Sequence, residues 1–204
     1  MARVLVLFAH PGQRHSKINM AMAKAARSVD GITFADLYAE YPTFNIDIDV
    51  EQARLLAHDT IILQFPIYWY STPSLLKEWQ DLVLEYGFAY GHDGDKLKGK
   101  TCLVVATAGG DEEAYGIEGR NNFSLRNLLS PLEQTANLCQ MNFAPPFVLF
   151  AAGQAPFDGR GERHVAAYRS LLQSLRDDRF QQDVGPVPEL LRDEDLLTYY
   201  GGQS

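Results

Sequence analysis

Four nearly continuous apolar runs punctuate the chain, Val4–Ala9, Ile61–Phe65, Cys102–Thr107 and Phe147–Ala151, with a weaker fifth at Ile32–Leu37. Apolar runs this short, without polar alternation, suit strands buried on both faces of a parallel sheet. Between them, apolar residues recur at helical spacing: Ile18, Met22, Ala25 and Val29; Leu75, Trp79, Leu82 and Tyr86; Val165, Tyr168, Leu172 and Leu175. Residues Val50–Ala57 and Ser124–Leu138 supply two more helices, with Pro131 starting or kinking the second. Strand and helix therefore alternate, which predicts an α/β protein: a doubly wound, five-stranded parallel sheet with helices on both faces.

Over about 180 residues, five strands suit the flavodoxin-like order 2-1-3-4-5 better than the longer six-stranded dinucleotide fold. One domain is expected over residues 1–180. Residues 181–204, with Pro186, Pro188 and an acidic stretch, read as a C-terminal tail that packs locally or at a subunit interface.

An open parallel sheet takes its ligand beyond the carboxyl ends of the strands, at the switch point, here after strands one, three and four. All three positions carry unusual loops. After strand one, His10–Asn19 passes through a polar loop into a helix at Ser16, where outward N–H groups and the helix dipole favour an anion beside His10, Arg14 and Ser16. The loop lacks both G-x-G-x-x-G and the Lys-Ser/Thr ending of a P-loop, which argues against a dinucleotide fingerprint and an NTPase. After strand three comes the aromatic segment Pro66-Ile67-Tyr68-Trp69-Tyr70, and after strand four Thr107-Ala108-Gly109-Gly110, followed by Tyr115. Phosphate donors, aromatic faces and a glycine turn that brings backbone N–H groups to a ring edge are together what a flavin needs.

Each feature has a plainer reading. His10 alone could hydrogen-bond within a turn, Ser16 and Asn19 could serve the helix start, and Gly109-Gly110 could be an ordinary turn. The Tyr68-Trp69-Tyr70 cluster could be a core corner or a dimer patch, and Trp79 and Tyr86 suit core or interface better than a cofactor. Asp111-Glu112-Glu113 reads as a solvated face. Asp47 and Asp49 fix a loop rather than bind metal, since no third carboxylate stands at calcium-loop spacing.

Charge narrows the partners. The 204 residues carry a formal charge of -8 and a pI near 5.1, which speaks against nucleic acid and against an anionic membrane surface. Neither a signal region nor a bilayer-length apolar run is evident, so the expected protein is cytoplasmic and not membrane-spanning. Cys102 and Cys139 have no metal or redox spacing and read as core residues.

The loop AHPGQRHSKIN, the segments DLYAEYPTFNIDID at Asp36–Asp49 and QFPIYWYSTPSLLKEWQDLVLEYGFAYG at Gln64–Gly91, LKGK at Leu97–Lys100 and the TAGG turn together resemble the NAD(P)H:quinone oxidoreductases of flavodoxin fold. Within them the chain is most similar to the ancillary subunits of bacterial glutathione-gated potassium efflux systems, over about residues 2–176. The resemblance implies that His10, Ser16, Lys17, Ile18 and Asn19 hold the flavin phosphate and ribityl chain. Pro66, Ile67, Tyr68, Trp69 and Tyr70 would line the isoalloxazine, and Thr107, Ala108, Gly109 and Gly110 its pyrimidine side. Tyr115 matches a family tyrosine that aims its hydroxyl at the ring, as an auxiliary group. Where animal members have a histidine some six residues later this chain has Asn121, which can hydrogen-bond but not titrate. The resemblance further implies FMN in preference to FAD, NADPH or NADH as hydride donor, a quinone or similar electrophile as acceptor, ping-pong exchange in one pocket, and a homodimer. An alternative it carries equally is a regulatory subunit that docks on a potassium/proton antiporter, with flavin structural or sensing.

Overall fold

The computed structural model of the protein describes residues 1–180, 189–194 and 196. Six strand segments, β1 (Val4–Phe8), β2 (Ile32–Asp36), β3 (Thr60–Pro66), β4 (Thr101–Thr107), β5 (Asn142–Phe143) and β6 (Phe147–Leu149), form one parallel sheet. Its order is β2-β1-β3-β4-β5, with β6 also paired to β4. The register levels the carboxyl ends that matter: Phe8 lies opposite Gln64, Pro66 opposite Thr107, and Thr107 opposite Leu149.

The helices are α1 (Lys17–Arg27), α2 (Leu37–Glu40), α3 (Ile48–Leu56), α4 (Ser74–Val83), α5 (Leu125–Leu128), α6 (Ser130–Leu138) and α7 (Arg160–Arg176). Successive strand residues point to opposite faces. Leu5, Leu7, Leu63, Phe65 and Val104 accordingly pack under α3 to α6, while Val4, Val6, Ile62, Leu103 and Val105 pack under α1 and α7. This doubly wound, flavodoxin-like arrangement is the one the hydrophobic pattern predicts.

The local differences have physical causes. The fifth strand is two short segments separated by Ala144, Pro145 and Pro146, because consecutive prolines have no N–H to give the ladder. The helix expected to run on to Tyr86 ends at Val83, leaving Tyr86 exposed and edge-on to Tyr90. The helix expected over Ser124–Leu138 breaks into α5 and α6, with Pro131 in the opening turn of α6, where a missing N–H costs nothing.

Beneath α3 and α4 lies a wholly buried carboxylate, Glu51, whose charge is fully partnered. It accepts from Tyr41 Oη at 2.7 Å, Trp79 Nε1 at 2.8 Å and Arg54 Nη1 at 2.6 Å, and Arg54 also pairs with Glu40 at 2.8 Å. This network fixes α4, and so the loop that precedes it, against α3.

Of the expected tail, 181–188, 195 and 197–204 lie outside the described residues. Leu191 forms a parallel bridge with Phe147, and Leu196 is buried against the α1/α7 face. Among the described residues no helix is long and apolar enough to cross a membrane, and no group of side chains has the makings of a metal site. Both cysteines are buried and free; burial pushes the Cys102 thiol up to about 12, consistent with an inert core residue.

Candidate functional site

A cleft of about 440 Å³ opens at the carboxyl end of the sheet. Its first wall begins where β1 ends. His10 is 3% exposed and its Nδ1 accepts the Gly12 N–H at 3.0 Å, so the ring proton sits on Nε2 as a donor. Burial lowers the pKa of His10, outweighing the pull of Asp36, and the imidazole is neutral at pH 7. Its ring stands edge-on to Tyr68, centroids 6.1 Å apart.

A single 3₁₀ turn, Gln13–His15, then delivers the chain to α1. Gln13 Nε2 donates to both carboxylate oxygens of Asp36 at 3.0 Å, and Asp36 also caps α2, which occupies that acid away from the cleft. Ser16 holds the N-cap position of α1, yet its hydroxyl makes no capping bond, so the expected helix-start role falls to its position alone. No acidic residue stands in the first turn of α1 and none lines the cleft, whereas Lys17 and His15 do. An anion therefore meets a locally favourable end of an otherwise acidic protein.

Asn19 links two walls: its Nδ2 donates to Thr107 Oγ1 at 2.8 Å. Its Oδ1 is buried and has no partner among the described residues. That atom is an acceptor waiting for a hydroxyl or N–H donor, as a polyol chain would supply.

The second wall follows β3, where Ile67 N–H donates to Thr107 O at 2.8 Å. Tyr68 and Ser71 then exchange two backbone hydrogen bonds of 3.1 Å, closing a two-residue hairpin turn. Both central residues are left-handed, Trp69 at φ 48° and Tyr70 at φ 65°. Such turns normally take Asn-Gly, and bulky side chains there are strained. Trp69 projects almost wholly into solvent, at 93% exposure.

The third wall follows β4 and is pinned to the loop after β6. Ala108 N–H donates to Leu149 O at 2.8 Å, Ala151 N–H to Gly110 O at 2.7 Å and Ala152 N–H to Ala108 O at 3.0 Å. A β-carbon on Gly109 would meet no protein atom within 4 Å; this stretch of wall faces open space.

Of the residues expected from sequence, His10, Ser16, Lys17, Ile18, Asn19, Pro66, Ile67, Tyr68, Thr107, Ala108 and Gly109 line one cleft. Trp69, Tyr70, Gly110 and Tyr115 do not. Gly110 and Tyr115 touch, Tyr115 packs on Phe150 with centroids 5.6 Å apart, and Tyr70 Oη donates weakly to Asn121 at 3.4 Å. Burial and the neighbouring Tyr70 raise the pKa of Tyr115, keeping its phenol protonated at neutral pH.

Sequence reading missed the loop after the fifth strand, where Ala152, Gly153, Pro156 and Phe157 complete the cleft. Phe157 stands 4.6 Å from Lys17 Nζ in a cation–π contact. The strand-end rule extended to strand five, with Gly153 and Pro156 as turn residues, would have found it.

Similarity to known proteins agrees with this geometry. The glutathione-regulated potassium-efflux system ancillary protein KefG of Cronobacter sakazakii is 46% identical over 151 residues, 74% of this chain and 82% of that protein. The general stress protein 14 of Treponema denticola, solved in complex with FMN, superposes with a TM-score of 0.80 at 36% identity, covering 85% of this chain and 99% of that one. An NADPH-quinone reductase from P. pentosaceus superposes with a TM-score of 0.75 at 29% identity, covering 83% and 97%. The profile of a family described by its flavodoxin-like fold matches residues 2–172, and with these relatives it establishes that the chain belongs to that family.

Proposed function

We propose that the chain is a flavin-dependent NAD(P)H:quinone oxidoreductase that holds FMN in the cleft at the carboxyl end of the sheet. The carrying observation is the convergence of the loops after β1, β3 and β4 on one acid-free cleft with an unpartnered acceptor, Asn19 Oδ1, inside it. The FMN complex of the Treponema relative supports FMN over FAD.

In this reading His10 Nε2, Ser16 and the N–H groups opening α1 receive the phosphate, with Lys17 adding charge. Asn19 Oδ1 accepts from a ribityl hydroxyl while its amide ties α1 to β4. Pro66, Ile67 and Tyr68 would flank the ring, Trp69 and Tyr70 would form an aromatic rim outside the cleft, and the Gly109 N–H would serve the pyrimidine edge, the Ala108 N–H being spent on Leu149 O. When bound, FMN would supply two-electron exchange, taking a hydride from NADPH or NADH and passing its two electrons, with that proton and one from solvent, to a quinone. Tyr115 remains a protonated phenol and acts as an auxiliary hydrogen-bond donor, not an essential acid. The exposed tip at Trp69 is a seam for a homodimer.

The relationship to KefG supports a second reading, a cytoplasmic subunit that docks on a potassium/proton antiporter and regulates it, with flavin structural or sensing. One experiment separates them. Protein saturated with FMN is mixed anaerobically with NADPH and then with a benzoquinone while the visible spectrum is followed. Bleaching and recovery within seconds support the reductase; bound flavin that stays oxidised moves the weight to the regulatory subunit, and failure to bind FMN removes the site assignment.

A further inference from the structure

The family profile ends at residue 172, yet residues beyond it pack against the strand and the turn that support the cleft's third wall. Leu191 is 3% exposed, lies as a one-residue strand beside Phe147 of β6, and donates its N–H to Pro146 O at 2.8 Å. Next to it Asp193 Oδ1 lies 2.9 Å from Nδ1 of the buried His164, whose ring stacks on Phe147 with centroids 4.1 Å apart. Between these two anchors stands Arg192. Its guanidinium meets the Glu112 carboxylate through both oxygens, at 2.6 and 3.2 Å.

Glu112 opens the 3₁₀ turn Glu112–Ala114, directly after the Gly109-Gly110 wall, and its carbonyl accepts the Tyr115 N–H at 2.9 Å. The wall's other attachments run to the loop after β6, through Gly110 O and Ala108. The C-terminal segment thus grips both supports of the third wall, β6 by main chain and burial, Glu112 by a two-pronged ion pair.

We infer that Arg192 is a positioning residue for the flavin-site wall, acting through Glu112 from a C-terminal strap docked on β6 and α7. The inference rests on the flavin reading for its functional sense, but not for its geometry. A forked pair fixes direction as well as distance, which a lone surface contact does not. Because the pair is half exposed, its weight is modest: the expected change is about fivefold in affinity, not abolition.

Arg192→Glu, Glu112→Arg and the double swap are compared with the unaltered full chain. Amide exchange over residues 108–115 reads the wall directly, and quenching of FMN fluorescence reads the site. We expect faster exchange and about fivefold weaker FMN binding in each single variant, and restoration of both in the swap, which a general loss of folding would not give. Unchanged exchange in Arg192→Glu, or a defect that the swap leaves in place, overturns the inference. If the unaltered chain binds no FMN the flavin reading fails instead, and the exchange data still decide whether Arg192 holds the wall.

Discussion

The cleft has two ends built on opposite principles. The wall after β1 uses relaxed backbone: a short 3₁₀ turn, a helix start and a neutral histidine whose tautomer is set by one local hydrogen bond. The wall after β3 holds two consecutive bulky residues in the left-handed region, closed by two hydrogen bonds. The first end exploits what any strand-loop-helix turn offers an anion. The second holds aromatic side chains where the backbone does not want them, which persists only when the surroundings over-determine the conformation. Those surroundings are visible in the Glu51 network that fixes α4, the helix into which the strained loop runs.

The contrast can be broken most severely at that network. Glu51→Ala strands the buried Tyr41 and Trp79 donors and takes from Arg54 one of its two carboxylates, and should destabilise the fold by about 3–5 kcal/mol in urea titration. A loss under 1 kcal/mol would mean α4 is held by packing alone. The next effect has the opposite sign. Replacing Trp69-Tyr70 with Asn-Gly removes the strain and should stabilise the protein by about 2 kcal/mol, raising Tm by about 6 °C, while quinone reduction falls about tenfold. Stabilisation without loss of activity would sever the link between strain and function.

Gly109→Val sharpens the same comparison from the third wall. Its β-carbon meets no protein atom within 4 Å, so folding stability should change little while FMN affinity drops about tenfold, measured by fluorescence titration. The smallest effect belongs to the relaxed end. With the folded pKa of His10 below the unfolded value of about 6.5, the unfolded chain binds the extra proton. Its contribution is therefore present above pH 6.5 and lost as pH falls toward the folded pKa. Melting the FMN-free protein from pH 7.5 to 5.5 should show a shallower decline for His10→Asn than for the unaltered chain.

Much of this was legible in the sequence because its causes are local. Buried parallel strands write themselves as nearly continuous apolar runs, and the strand-end rule then names His10, Tyr68 and Gly109 before any coordinates exist. What escaped depends on distant partners. Nothing local in Asn142-Phe143 marks a strand, since two residues owe their extension to β4. Phe157 joins the cleft only because Gly161 brings the start of α7 against α1, where a β-carbon would stand 2.5 Å from Ile18. The strain at Trp69 and Tyr70 was equally hidden, because the residue types there argue for a strand and not for a turn.

That strained tip has an optical corollary. The chain has two tryptophans, Trp69 at 93% exposure on the cleft rim and Trp79 at 2% in the core, bonded to Glu51. Their emission should divide into a red, iodide-quenchable component and a blue, shielded one. The blue component follows unfolding alone. The red one should follow whatever covers the rim, so a second protein chain arriving there announces itself without a label, as a loss of iodide quenching while the blue signal stands still.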